Sequence, residues 1–184
     1  QDSSWNLPNE DDAMFVDNSG TSLGVEIVDI NGDDLPDLIK GVKAASLQRR
    51  AWVNNGSTWI QVSSWNPPNE DDAMFVDNNG KDLGVRLVDI NGDGLADLIK
   101  GVDTAPLQRR AWINNGSTWI QASSWNPPNT DDAMFVDTSG EDLGVRLADV
   151  NGDGLLDIVK SAYDAGVGHI RRTFINNGTN WQED

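Results

Sequence analysis

Asp89-Ile90-Asn91-Gly92-Asp93-Gly94-Leu95-Ala96-Asp97 carries an oxygen-bearing side chain at its first, third, fifth and ninth positions and glycine at its fourth and sixth. The pattern opens again at Asp29 and at Asp149, a period of 60. Working outward, Ser-Ser-Trp-Asn at 3–6, 63–66 and 123–126 keeps the same register, as does Asp-Asp-Ala-Met-Phe-Val-Asp at 11–17, 71–77 and 131–137. The Arg pairs at 49/50, 109/110 and 171/172 show that the third copy holds two extra residues between Ala162 and Ile170. The 184 residues therefore read as three copies of one supersecondary unit, 1–60, 61–120 and 121–184.

Each copy reads as four short strands. Gly84–Ile90 alternates and is β-branched, and Leu95–Val102 is a second apolar run beyond the Asn-Gly-Asp-Gly turn. Arg109–Asn114 is a third, closed by the hairpin signal Asn115-Gly116, and Thr118–Trp125 is a fourth, with Trp119, Gln121, Ser123 and Trp125 on one face. A polar connection follows from Asn126 to Asp142. No segment has helical period. The pattern predicts an all-β chain of three four-stranded β-propeller blades. Three blades are too few to close a ring, since propellers have about four to eight. The expected solution is a head-to-tail homodimer of six blades, in which residues 1–6 of one chain complete the last blade, 142–184, of the other. The competing reading is a fragment of a longer array.

The loop at 89–97, repeated between strands, resembles the calcium loop of FG-GAP or VCBS repeats, the blades of integrin-α-like propellers. Ca²⁺ takes six to eight hard oxygen ligands. Asp89, Asn91, Asp93, the Leu95 carbonyl and Asp97 supply such donors, as do Asp149, Asn151, Asp153, Leu155 and Asp157. Asp29, Asn31, Asp33, Leu35 and Asp37 form the first loop, which has Asp34 where the others have glycine. About three Ca²⁺ per chain are expected, and the absence of a glutamate at position twelve excludes an EF-hand. The alternative is a set of Asx-rich turns without an ion. The resemblance implies an extracellular or cell-surface recognition module, adhesive or lectin-like. The other reading is a non-catalytic scaffold segment of a larger adhesion or toxin protein.

Trp5-Asn6, Trp65-Asn66 and Trp125-Asn126, each leaving a strand for a loop, are candidates for stacking on a sugar ring, or for packing between blades. Arg50, Arg110 and Arg172 either bind a ligand carboxylate or pair with an aspartate of the chain. Trp52, Trp112 and Phe174 read as core, and Trp59, Trp119 and Trp181 as packing. Asn55, Asn115 and Asn177 lie in N-glycosylation sequons at the hairpin turns. With no cysteine and a single histidine, His169, absent from the other copies, acid–base partners for catalysis are missing and no enzyme is expected. A net charge of −17 argues against nucleic acid, and the expected partners are a second copy and a glycan or protein ligand. No apolar run is long enough for membrane insertion.

Overall fold

The computed structural model describes residues 6–8 and 11–184. They form three sheets in succession. The first runs β1 (Val25–Val28), β2 (Asp37–Lys43), β3 (Gln48–Asn54) and β4 (Trp59–Gln61), each antiparallel to the next. After β5 (Val76–Asp77), the second repeats the order with β6 (Val85–Val88), β7 (Asp97–Asp103), β8 (Gln108–Asn114) and β9 (Trp119–Gln121). After β10 (Val136–Asp137), the third has β11 (Val145–Ala148), β12 (Asp157–Asp164), β13 (Gly168–Asn176) and β14 (Trp181–Glu183). The chain is all-β; among the described residues the only helical turns are three-residue 3₁₀ segments, and none can cross a membrane.

Local chemistry sets each turn. At the β3–β4 hairpin, Asn55 Oδ1 accepts from Ser57 N at 3.0 Å and Thr58 N at 2.9 Å, and Gly56 takes φ 82°, a left-handed conformation cheap only without a Cβ. The register Leu98↔Trp112 then puts large side chains opposite one another. The two residues added to the third copy lengthen β12 and β13, whose pairing runs from Ile158↔Phe174 to Asp164↔Gly168.

The polar connection read at 126–142 holds a second layer of structure. Met134, Phe135 and Val136 are buried, and β10 pairs in parallel with β7 of the preceding sheet. β5 does the same on β2. These connections glue consecutive sheets: Ile39 and Val42 share one core with Met74, Phe75, Leu98 and Trp112, and Ile99 and Val102 share the next with Met134, Phe135, Ile158 and Phe174. Burying one such phenylalanine contributes about 2 kcal/mol.

Two further expectations change. The fourth strand stops at Gln121, and Ser123–Trp125 is a 3₁₀ turn, so Trp125 does not continue the strand's alternation but tucks between the second and third sheets. The third sheet also has its own fourth strand, β14, paired with β13 over Phe174↔Glu183 to Asn176↔Trp181, the same three-pair length as β4 and β9. Of residues 1–6, expected to complete the last sheet of a second copy, 1–5 lie outside the described residues and Asn6 stands exposed in a bend.

Candidate functional site

The three acidic loops sit between the first and second strands of each sheet. In the second, Asp89 Oδ1 accepts from Gly92 N at 2.7 Å and Asp93 N at 3.2 Å, while its Oδ2 accepts from Gly94 N at 2.8 Å. Asn91 Nδ2 donates to Asp93 Oδ2 at 3.0 Å. The third loop matches it through Asp149, Gly152, Asp153 and Gly154. In the first, Asp34 adopts φ 66° where the others have glycine, and its N–H still reaches Asp29 Oδ2 at 2.8 Å. Aspartate is one of the few residues that tolerates this region.

The ninth residue of each loop turns inward. Asp97 is fully buried; Oδ2 accepts from Ile90 N at 3.1 Å and Oδ1 from Asn114 N at 2.7 Å, tying the loop to the third strand. Burial pushes its carboxyl up to about 7, with repulsion from Asp93 and Asp89 adding to the shift against the two N–H donors. Asp37 is raised for the same reasons. In contrast, the N–H donors of Gly154 and Gly152 hold the exposed Asp149 below its ordinary value. The donors are hard oxygens, the chemistry calcium takes. In the arrangement seen, however, no three carboxylate or imidazole groups among the described residues converge to hold a metal ion. The loop carboxylates instead face backbone N–H groups.

The loops also join sheet to sheet. Asn114 Nδ2 donates to the Ile30 carbonyl of the preceding loop at 2.7 Å, and Asn176 Nδ2 to the Ile90 carbonyl at 2.8 Å. The sequence reading did not single out these asparagines, although their recurrence as Asn54, Asn114 and Asn176, each just before the Asn-Gly of the hairpin turn, marks them.

Arg50, Arg110 and Arg172 take the intramolecular role. Their Nε atoms stand 3.7, 3.8 and 3.3 Å from Asp12, Asp72 and Asp132. Each aspartate also holds a lysine that the sequence reading passed over: Lys40 at 2.8 Å, Lys100 at 3.0 Å and Lys160 at 3.2 Å. The lysines are buried, and burial lowers the Lys100 ammonium below its ordinary range, with Asp72 opposing the shift. The signal was available, a lysine recurring in phase inside an apolar strand. The other arginine of each pair faces the opposite way: Arg49 Nη1 donates to Pro67 O and Arg109 Nη1 to Pro127 O, both at 2.6 Å.

Among the proposed stacking residues, Trp65 and Trp125 are 8% and 9% exposed, so their faces pack in the core and are not open to a sugar. Trp181 meets Trp125 edge to face at 6.4 Å and donates Nε1 to its carbonyl at 3.2 Å. Asn66 Oδ1 and Asn126 Oδ1 are buried without a hydrogen-bond partner among the described residues. Trp5 lies outside the described residues, and Asn6 is exposed. Asn55, Asn115 and Asn177 stand exposed at the hairpin tips.

No protein-family model matches the chain. It is 29% identical over 145 residues to a T-cell immunomodulatory protein homolog of Plasmodium yoelii yoelii, an alignment covering 76% of this chain and 20% of that protein. Its fold is similar to a lectin of Agrocybe aegerita, solved for its specific recognition of non-reducing terminal N-acetylglucosamine, with TM-score 0.55 and 21% identity. That match covers 90% of this chain and 39% of the lectin chain. The chain thus spans about a fifth of the relative's length and well under half of the lectin's.

Proposed function

We propose that the chain is a non-catalytic, calcium-stabilised carbohydrate-binding module of the FG-GAP/VCBS type, acting outside the cell or at its surface. The observation that carries this reading is the fold likeness to a glycan-binding lectin across 90% of the chain. The in-phase oxygen-rich loops support the metal: Asp89, Asn91, Asp93, the Leu95 carbonyl and Asp97, with their counterparts in the other copies, would hold Ca²⁺. The ion would supply positive charge to a strongly acidic chain. A carboxylate oxygen that accepts one N–H keeps a lone pair for an ion.

The sheets are blades of a propeller, and a second copy closes the ring. Met74, Phe75 and Val76 are 0, 4 and 7% exposed, because they lie on the sheet before them. Met14, Phe15 and Val16, the same residues one repeat earlier, are 41, 37 and 53% exposed. At the other end, among the described residues, Arg171 has no carbonyl acceptor like those of Arg49 and Arg109. The two ends repeat the two sides of the interface already formed twice within the chain, so head-to-tail association continues it. The length of the Plasmodium relative favours a second reading, a scaffold segment within a larger protein. A glycan array probed in calcium separates the two: binding to one or more glycans supports the module, and binding to none by the folded protein favours the scaffold.

A further inference from the structure

β1, β6 and β11, the first strands of the three sheets, line a cavity of about 600 Å³, within the size range of small-ligand sites. Two clamped ion pairs stand in its wall. Arg86 grips Asp82 with both arms of its fork, Nη1 to Oδ1 at 3.0 Å and Nη2 to Oδ2 at 2.8 Å, and Arg146 grips Asp142 at 2.9 and 2.6 Å. Each aspartate is fixed in turn by a glycine N–H at 2.7 Å, from Gly84 or Gly144. Arg86 also lies over the Phe135 ring, 5.4 Å from its centroid. These groups are set before a ligand arrives, which lowers the ordering cost of binding.

The first repeat breaks the pattern, with Ser22 and Glu26 where the others have aspartate and arginine. Glu26 lines the same cavity and has no ion pair among the described residues. Desolvation raises its carboxyl above the ordinary range, with Arg86 opposing the shift. The wall therefore presents three carboxylates against two guanidinium groups whose forks are already engaged, beside the apolar surface of Ile27, Leu87 and Leu147. Planar groups holding both donors and acceptors match the adjacent hydroxyls of a pyranose, and apolar side chains match its C–H face. The residual negative charge disfavours an acidic sugar.

We propose that this cavity is the chain's saccharide site, taking a sugar unit without an acidic group, with Glu26 accepting from a hydroxyl or amino group and the Asp82–Arg86 pair engaging neighbouring hydroxyls. The proposal rests on the carbohydrate-binding reading and replaces the tryptophan positions as its site. It is tested by NMR titration of the intact chain in calcium with N-acetylglucosamine, glucosamine, galactose and N-acetylneuraminic acid. The same titrations are run on Glu26→Gln, which keeps the side-chain shape, and on Leu87→Trp, which fills the cavity. Saturable shifts centred on β1, β6 and β11 with a non-acidic sugar and none with N-acetylneuraminic acid support the site, as does a loss of about tenfold or more in affinity in either variant that melts like wild type. Binding that maps elsewhere and survives both substitutions overturns the cavity assignment and leaves the lectin reading standing. Binding of no sugar overturns both.

Discussion

Phe75 seats its ring on the backbone of Gly41: its N–H donates to the Gly41 carbonyl at 3.0 Å, and a Cβ added to Gly41 would stand 3.1 Å from the ring. Phe135 repeats the contact on Gly101, where the added Cβ would stand 3.2 Å away. At the two ends of the chain this relationship is broken in half. Phe15 has a ring without a seat, and the third sheet has Ser161 at the seat, where the others have glycine.

Replacing Phe15 with serine removes an anchor of the proposed contact between copies and leaves the folded chain intact, because the ring is exposed. Since the ring is only 37% exposed before association, losing about 1 kcal/mol of burial weakens self-association by roughly fivefold. Sedimentation velocity in calcium reads the change, and an unaltered dissociation constant contradicts the assigned contact.

Ser161→Gly should act in the opposite direction. The serine side chain holds an incoming phenylalanine a few tenths of an ångström farther out than Gly41 holds Phe75, so deleting it tightens association. Weaker association in the glycine variant argues that the third sheet meets its partner by a different surface.

At the Lys100–Asp72 pair, the two partners differ in exposure, with side chains 4% and 35% exposed. Asp72→Ala strands a buried ammonium and costs about 1–3 kcal/mol after allowing for the exposed partner. Lys100→Met costs less, since Asp72 keeps both water and Arg110. The pH dependence has a fixed sign. Burial lowers the Lys100 value in the folded chain, so the folded state binds this proton less tightly than the unfolded one. Stability at this site is therefore lost as pH falls through the folded value and is fully present above the unfolded value near about 10.4. Removing Asp72 lowers the folded value further and steepens the gain in melting temperature as pH rises above neutrality. Equal costs for the two substitutions refute this account of the pair.

Calcium, by binding only the folded chain, should raise the melting temperature, and EDTA should lower it. Calorimetry should find close to three sites. Asp93→Ala removes a charged donor and harms its loop more than Asn91→Ala; equal effects, or no heat of binding, identify the loops as hydrogen-bonded turns alone.

The strands were legible in the sequence because Gly84–Ile90 alternates and is β-branched and the Asn115-Gly116 turn closes Arg109–Asn114 and opens the next strand. The early end of the fourth strand was not, because nothing in the composition of Ser123-Ser124-Trp125 reveals that burying Trp125 between sheets requires a 3₁₀ turn. Met134-Phe135-Val136 lay hidden in a connection that is polar on average; its fit to Gly101 exists only once neighbouring sheets stack. The acidic loops could be located to the residue, whereas the cavity could not, because Glu26, Arg86 and Arg146 lie 60 residues apart and meet only through the stacking of the sheets.

Closure of three sheets into a ring of six is tested most directly by mass. Light scattering coupled to size exclusion, in calcium and at micromolar concentration, should report twice the mass of the chain. A folded species of single-chain mass under those conditions would contradict it.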